Sequence, residues 1–199
     1  MIAEEKKRSR GRPKTLDRKQ VLDVSMQAYW KEGIEAISLN KICKRTNVSK
    51  PGIYREFGND DGLIKAVLEH YQQEVLKPIH KIFLQNKSFD ETLNEYIDIL
   101  TTNSPNQYGC LFIRTRDLKY PLGAQSQAQI ERIQEEFLRS FTRWIERAKN
   151  NNEFPKDIST QLAVNYIDAQ VSMAMTKIFN GFSTSKLKEI LLLAFSVFK

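Results

Sequence analysis

Residues 47–58 read NVSKPGIYREFG, and this stretch decides the fold. Asn47 is, after glycine, the residue that best tolerates the left-handed conformation that a tight turn requires. Ser49 is a favoured helix N-cap, and Pro51 falls in the first helical turn, where its missing N–H has no helical partner. The stretch therefore predicts a tight turn that leads directly into a short helix.

The residues before this turn predict another short helix. Ser38 is a good N-cap, and Leu39, Ile42 and Cys43 repeat at the i, i+3, i+4 spacing of a buried helical face. Cys43 supplies the small side chain that is needed where the second helix crosses the first. Residues 38–57 therefore have the spacing of a helix-turn-helix unit.

The first turn of the second helix is predicted to face outward and to contact DNA in the major groove. Gly52 would permit close approach, Arg55 can donate two hydrogen bonds to guanine, and Pro51 can touch a thymine methyl. Tyr54 and Lys50 are expected to hold phosphates. Short helix-turn-helix pairs also occur inside enzymes, which is the structural alternative. The candidate DNA-contacting residues of this unit are Ser38, Lys50, Pro51, Gly52, Tyr54 and Arg55.

Positive charge is concentrated in the first third of the chain. Residues 1–59 contain 14 Lys and Arg against 7 Asp and Glu, whereas the remaining residues contain 17 of each sign. Such a segment suits an anionic partner. Within it, Arg10 and Arg12 belong to SRGRPK, a small cationic arm of the kind that reaches the minor groove. The alternative is a solubilising tail.

Residues 15–68 resemble the DNA-binding domain of TetR-family transcriptional regulators. The matching stretches are LDRKQVLDVSMQAYWKEGIEAISLNKI, CKRTNVSKPGIYREFG and NDDGLIKAVLEHY. The resemblance implies an all-α homodimer with an N-terminal three-helix helix-turn-helix domain and a C-terminal helical ligand-binding and dimerisation domain. Glu56 and Asp60 depart from the family pattern, where a reader such as His and a phosphate-binding Lys are frequent.

The chain is accordingly divided into a disordered basic arm at residues 1–14, a DNA-binding domain at 15–59 and a ligand-binding and dimerisation domain at 60–199. Helical periodicity in the last part predicts helices at about 61–85, with a kink at Pro78, and at about 124–150. Further helices are expected at about 89–103, from about 110, at 158–179 and at 185–198.

Cys110 is the sharpest feature of the second domain. It follows Gly109 near an expected helix start, which lowers a thiol pKa, and Arg114 and Lys177 are candidate cationic neighbours. The Gly-Cys-Leu run resembles a branch of the family in which some members sense electrophiles or oxidants. Cys110 is therefore a candidate redox or electrophile sensor. The alternative is a small buried core residue.

The patterns favour a cytoplasmic regulator without catalytic residues or cofactors. Cys43 and Cys110 lie far apart and near neither His70 nor His80, so neither a metal site nor a disulfide framework is predicted. The N-terminus has no apolar segment of a secretory signal, and no apolar run is long enough to span a bilayer.

The leading hypothesis is a repressor that binds a pseudo-palindromic operator on double-stranded DNA as a homodimer and is released by an unknown small-molecule or thiol-reactive effector. One alternative is a non-specific architectural DNA-binding protein. A third possibility is an enzyme, but the sequence contains no phosphate loop, nucleophile motif or metal cluster that would support it.

Overall fold

The structure is a computed structural model that describes residues 16–102, 108–118 and 120–198; Arg10 and Arg12 of the basic arm lie outside these residues. The described part is all-α and contains no strand, as the sequence predicts. Its α-helices are α1 (Arg18–Glu32), α2 (Leu39–Thr46), α3 (Lys50–Phe57), α4 (Asp60–Tyr71), α5 (Lys77–His80), α6 (Phe89–Thr101), α7 (Leu111–Arg116), α8 (Ala124–Asn150), α9 (Thr160–Phe179) and α10 (Thr184–Phe195).

Local sequence signals set the bounds of the first three helices. The carboxylate of Asp17 accepts from the backbone N–H of Gln20 at 3.0 Å and begins α1, and Gly33 ends it with φ +96°. Asn47 turns the chain between α2 and α3 in the left-handed conformation, with φ 54° and ψ 37°. Ser49 caps α3 by accepting from the N–H of Gly52 at 3.3 Å. The predicted helix-turn-helix unit is thus confirmed.

Helix α4 packs against α1 and α3 on one side and against α8 on the other. Its contact with α3 depends on Gly62, because a Cβ at that position would lie 1.9 Å from the carbonyl oxygen of Phe57. Any displacement of α4 therefore acts directly on the C-terminal end of α3, which is the second helix of the helix-turn-helix unit.

The single kinked helix predicted at about 61–85 is replaced by four consecutive segments. Helix α4 is followed by a π-helical turn at Gln72–Leu76, by α5, and by a 3-10 turn at Lys81–Leu84. Pro78 lies at the start of α5, where it cannot donate a backbone hydrogen bond. The irregularity begins six residues before the proline, so proline alone does not set its position.

The second half of the chain packs around an aromatic core. Trp144 on α8 stacks on Phe89 of α6, with ring centroids 4.7 Å apart, and meets Phe83 at 5.0 Å. Trp144 and Phe89 are almost completely buried. This core holds α6 and α8 together beside α9 and α10. None of the helices in the described ranges combines the length and apolarity needed to cross a membrane.

Candidate nucleic-acid interface and buried cavity

The exposed side chains of α3 form the candidate nucleic-acid interface. Lys50, Pro51 and Arg55 are exposed, as is Ser38 at the start of α2. Tyr54 is half-buried, and the ammonium of Lys50 lies 5.2 Å from its ring centroid. Ser38 stands at the N-cap position of α2 but makes no capping hydrogen bond with its side chain. Its hydroxyl group is therefore available to a ligand such as a phosphate.

Gly52 does not face outward as predicted. It is buried, and a Cβ at this position would lie 3.1 Å from Cγ1 of Val48 and 3.3 Å from the hydroxyl of Ser49. The small residue lets the first turn of α3 pack closely on the preceding turn of the chain. The close approach that the sequence indicates at Gly52 is thus an internal contact.

Glu56, one of the two departures from the family pattern, has a cationic partner that the sequence analysis did not identify. The guanidinium Nε of Arg18 lies 3.0 Å from Oε1 of Glu56, and Arg18 also covers the Phe57 ring with 5.5 Å between Cζ and the ring centroid. Arg18 offsets the negative charge that Glu56 brings to the candidate nucleic-acid interface. Because both groups are substantially exposed, the pair contributes little to stability.

Asp61 on α4 connects the helix-turn-helix part of the chain to α8. Helix α8 begins after Gly123, which has no side chain to act as an N-cap. Instead the carboxylate of Asp61 on α4 accepts from the backbone N–H groups of Gln125 and Ser126 at 2.9 and 3.2 Å. The hydroxyl of Ser126 also donates to Asp61. A cap supplied from 64 residues away in the chain has no local sequence signature.

A small cavity lies between α4, α6, α7, α8 and α9. Its volume is about 30 Å³, which matches the share of one molecule in liquid water, roughly 30 Å³. Cys110 closes one side, and the hydroxyl of Tyr71 donates to its sulfur at 3.5 Å. The wall is mainly apolar and aromatic; its residues are Tyr71, Leu76, Ile79, Tyr96, Leu100, Cys110, Ile113, Phe137, Val171 and Met175.

Cys110 occupies the expected helix start, because it is the N-cap residue of α7, but its electrostatic setting differs from the prediction. The thiol is buried, with 6% exposure, and burial raises its pKa above the ordinary value. The Tyr71 hydroxyl, the first N–H groups of α7 and the charge of Arg116 act in the opposite direction and do not overcome burial. The resting thiol is therefore protonated at neutral pH.

The two cations predicted beside Cys110 have other partners. Arg114 donates to the backbone carbonyl of Trp30 at 2.7 Å and stacks 3.6 Å from the ring centroid of Phe179. Lys177 lies 4.6 Å from the ring centroid of Phe182. Sequence spacing gave no indication that Arg116, two residues after Arg114, is the cation that acts on the thiol.

Within the described ranges, no group of three or more His, Cys, Asp or Glu side chains is arranged to hold a metal ion. Both cysteines are free thiols. Cys43 on α2 is half-buried and packs against the hydrophobic core, which agrees with its predicted place in the helix-turn-helix unit.

Comparisons with known proteins match the first part of the chain to one family. Residues 21–67 match the family described as "Bacterial regulatory proteins, tetR family". The HTH-type transcriptional repressor ComR of Escherichia coli (strain K12) is 36% identical over 111 residues, which cover 54% of this chain and 53% of ComR. The uncharacterized HTH-type transcriptional regulator YvkB of Bacillus subtilis (strain 168) is 38% identical over 53 residues, covering 27% of this chain and 28% of YvkB. The chain thus aligns with about half the length, or less, of these curated relatives.

Solved structures extend the likeness in fold over nearly the whole chain. A cysteine mutant of the TetR family transcriptional regulator CifR, complexed with a 26-bp double-strand operator DNA, has a TM-score of 0.82 at 17% identity and covers 95% of this chain and 100% of its own. The reduced form of NemR from E. coli has a TM-score of 0.78 at 15% identity and covers 92% and 97%. Residues 21–67 thus match the DNA-binding domain of the TetR family, and the likeness over the rest of the chain is one of fold.

Proposed function

We propose that this protein is a transcriptional repressor that binds a pseudo-palindromic operator as a homodimer and releases it when an effector enters or modifies the cavity at Cys110. The observation that carries the proposal is the exposed edge of α3. Lys50, Pro51 and Arg55 lie together on a helix that the turn at Asn47 presents to solvent. This is the helix position from which helix-turn-helix proteins reach base edges.

An exposed apolar face supports the homodimer. Leu162 of α9 is 61% exposed, and on and after α10 Leu192, Leu193 and Val197 are 42%, 75% and 53% exposed. Contiguous exposed apolar surface marks an interaction site on a protein that is otherwise well packed. A second copy of the same chain would bury it and set two α3 helices to read half-sites about one DNA turn apart, roughly 34 Å.

The cavity supports the effector part of the proposal. It is lined mainly by apolar side chains, and its polar groups include the Cys110 thiol and the Tyr71 hydroxyl that donates to it. We propose Cys110 as the residue that reacts with an electrophile or oxidant after the cavity opens. A reversible apolar ligand would use the same cavity without a covalent step.

The DNA-binding part is tested by comparing two alanine variants of α3 on the gene's upstream fragment. Arg55→Ala should weaken binding by about 1–3 kcal/mol and relax the preference for that fragment over scrambled DNA. Lys50→Ala should weaken both DNAs about equally and lower the salt slope by about 1. Arg139→Ala on the exposed face of α8 is the matched control for loss of one positive charge.

Three outcomes would count against the proposal. Equal binding of the upstream fragment and scrambled DNA by the wild type, with a steep salt slope, would favour an architectural DNA-binding protein. A monomer at micromolar concentration in sedimentation equilibrium would remove the homodimer. Release from DNA by N-ethylmaleimide in a Cys110→Ser variant would remove Cys110 as the reacting group.

A further inference from the structure

We propose that Trp30 carries the state of the Cys110 cavity to the helix-turn-helix unit. Trp30 lies in the last turns of α1, in the DNA-binding half of the chain, and is buried. The inference rests on the proposed function and names how that function is regulated. It holds for a reactive effector and for a reversible one, because both would act on the same cavity wall.

The indole N–H of Trp30 donates to the carbonyl oxygen of Gly109 at 2.8 Å. Gly109 directly precedes Cys110 in the chain. From the other direction, the guanidinium of Arg114 on α7 donates to the carbonyl oxygen of Trp30 at 2.7 Å. The end of α1 is therefore hydrogen-bonded to both sides of the segment that carries the thiol.

The ring of Trp30 also contacts the cavity wall at Tyr71. Its centroid lies 5.0 Å from that of Tyr71, at an interplanar angle of 79°, which is an edge-to-face contact. The hydroxyl of Tyr71 in turn donates to the sulfur of Cys110. One side chain of the DNA-binding half thus contacts the residue next to the thiol and the thiol's own hydrogen-bond partner.

The cavity is too small to be filled without moving its wall. At about 30 Å³ it has room for roughly one water molecule. The Cys110 segment cannot yield toward α9, because a Cβ at Gly109 would already lie 2.5 Å from the carbonyl oxygen of Met175. An effector therefore displaces this segment against Trp30.

A displacement of Trp30 reaches α2 through the end of α1. Two residues after Trp30, the carboxylate of Glu32 accepts both guanidinium hydrogen bonds of Arg45 on α2, at 2.5 and 3.0 Å. This bidentate pair has a fixed geometry, because two parallel bonds hold both planes. The exposed pair thus links the end of α1 to the first helix of the helix-turn-helix unit, against which α1 also packs.

A genetic surrogate for an occupied cavity tests this role without a known effector. Cys110→Phe places a ring where the cavity has no room for one. It should lower affinity for the upstream fragment by about 5–150-fold, the usual range for coupled sites. Trp30→Phe keeps an aromatic ring beside Tyr71 but has no N–H for Gly109. In the Trp30→Phe background the loss of affinity caused by Cys110→Phe should shrink to about 2-fold. The loss is the ratio of affinities with and without Cys110→Phe in the same background, so any basal effect of Trp30→Phe cancels.

Trp144→Phe is the matched control, because it changes the chain's other tryptophan, which lies in the aromatic core away from Gly109. It should leave the full loss in place. It also makes Trp30 the only tryptophan, so that Cys110→Phe should shift the Trp30 emission maximum in the absence of DNA. If circular dichroism shows that Cys110→Phe does not fold, Cys110→Met allows the same comparison with a smaller increase in side-chain volume.

An equal loss of affinity in the wild-type and Trp30→Phe backgrounds would overturn the role of Trp30, as would an unshifted emission maximum. Failure of the proposed function has a different signature: the wild type would bind upstream and scrambled DNA alike, or Cys110→Phe would leave operator affinity unchanged. In that case the emission measurement still decides whether the cavity and Trp30 are coupled.

Discussion

Replacing Asp61 by alanine removes the group that caps α8 from outside the helix. Two backbone N–H groups, those of Gln125 and Ser126, lose an acceptor at 2.9 and 3.2 Å. Loss of an N-cap side chain costs about 0.5–2 kcal/mol, and the carboxylate's interaction with the helix dipole adds about 0.3–1 kcal/mol. The Ser126 hydroxyl keeps a partner, because it also donates to the Gly123 carbonyl at 3.1 Å. We therefore expect a loss of about 1–2 kcal/mol, which for a chain of this length lowers Tm by about 2–8 °C.

Thermal unfolding followed by circular dichroism at fixed protein concentration measures this loss, since the proposed dimerisation would make Tm concentration-dependent. Asp60→Ala is the matched control, because Asp60 and Asp61 both lie in the first turn of α4 but only Asp61 is bonded to α8. Both substitutions remove the same favourable charge from α4. An equal fall in Tm for the two variants would refute the interhelical cap.

Two further predictions concern packing and pH. Gly62→Ala should lower the free energy of unfolding in urea by about 3 kcal/mol or more, because the new Cβ would meet the Phe57 carbonyl oxygen at 1.9 Å; a wild-type urea midpoint would contradict this. Burial lowers the pKa of His80 to about 4. Between pH 6.5 and 4 the unfolded chain therefore binds a proton that the folded chain does not, so stability should fall by up to about 3 kcal/mol as pH falls through this window. His80→Leu should remove that component of the pH dependence and His70→Gln should retain it; the same slope in both variants would assign it elsewhere.

The helix-turn-helix unit was predictable because its signals are local. Asn47 supplies the left-handed turn, and Ser49 caps the next helix within three residues of itself. Each of these residues acts on backbone groups within a few residues of itself, so the local sequence is enough to predict the turn and the helix start. Gly52 was assigned to the wrong environment for the same reason: its small size is needed, but the neighbour that requires it, Val48, could not be distinguished from DNA by sequence.

The environment of Cys110 could not be predicted, because it depends on side chains distant in the chain. The helix start was visible from Gly109 and Cys110, and it favours a low thiol pKa. The opposing effect of burial comes from packing between helices. The spacing of residues in the sequence does not show which helices pack together. Tyr71 and Trp30, the polar partners of this segment, lie 39 and 79 residues away from the atoms they bond.

The π-helical turn at Gln72–Leu76 has a consequence for chain length. A π-turn holds one residue more than the α-helical turn it replaces. Deleting one residue here should regularise the helix and leave Asp60–Tyr71 and the following segments facing their present neighbours. The same deletion inside Asp60–Tyr71 would rotate every later side chain by about 100° and turn the buried face of α4 toward solvent. Natural variants that differ by a single-residue insertion or deletion in this part of the chain should therefore differ within Gln72–Leu76.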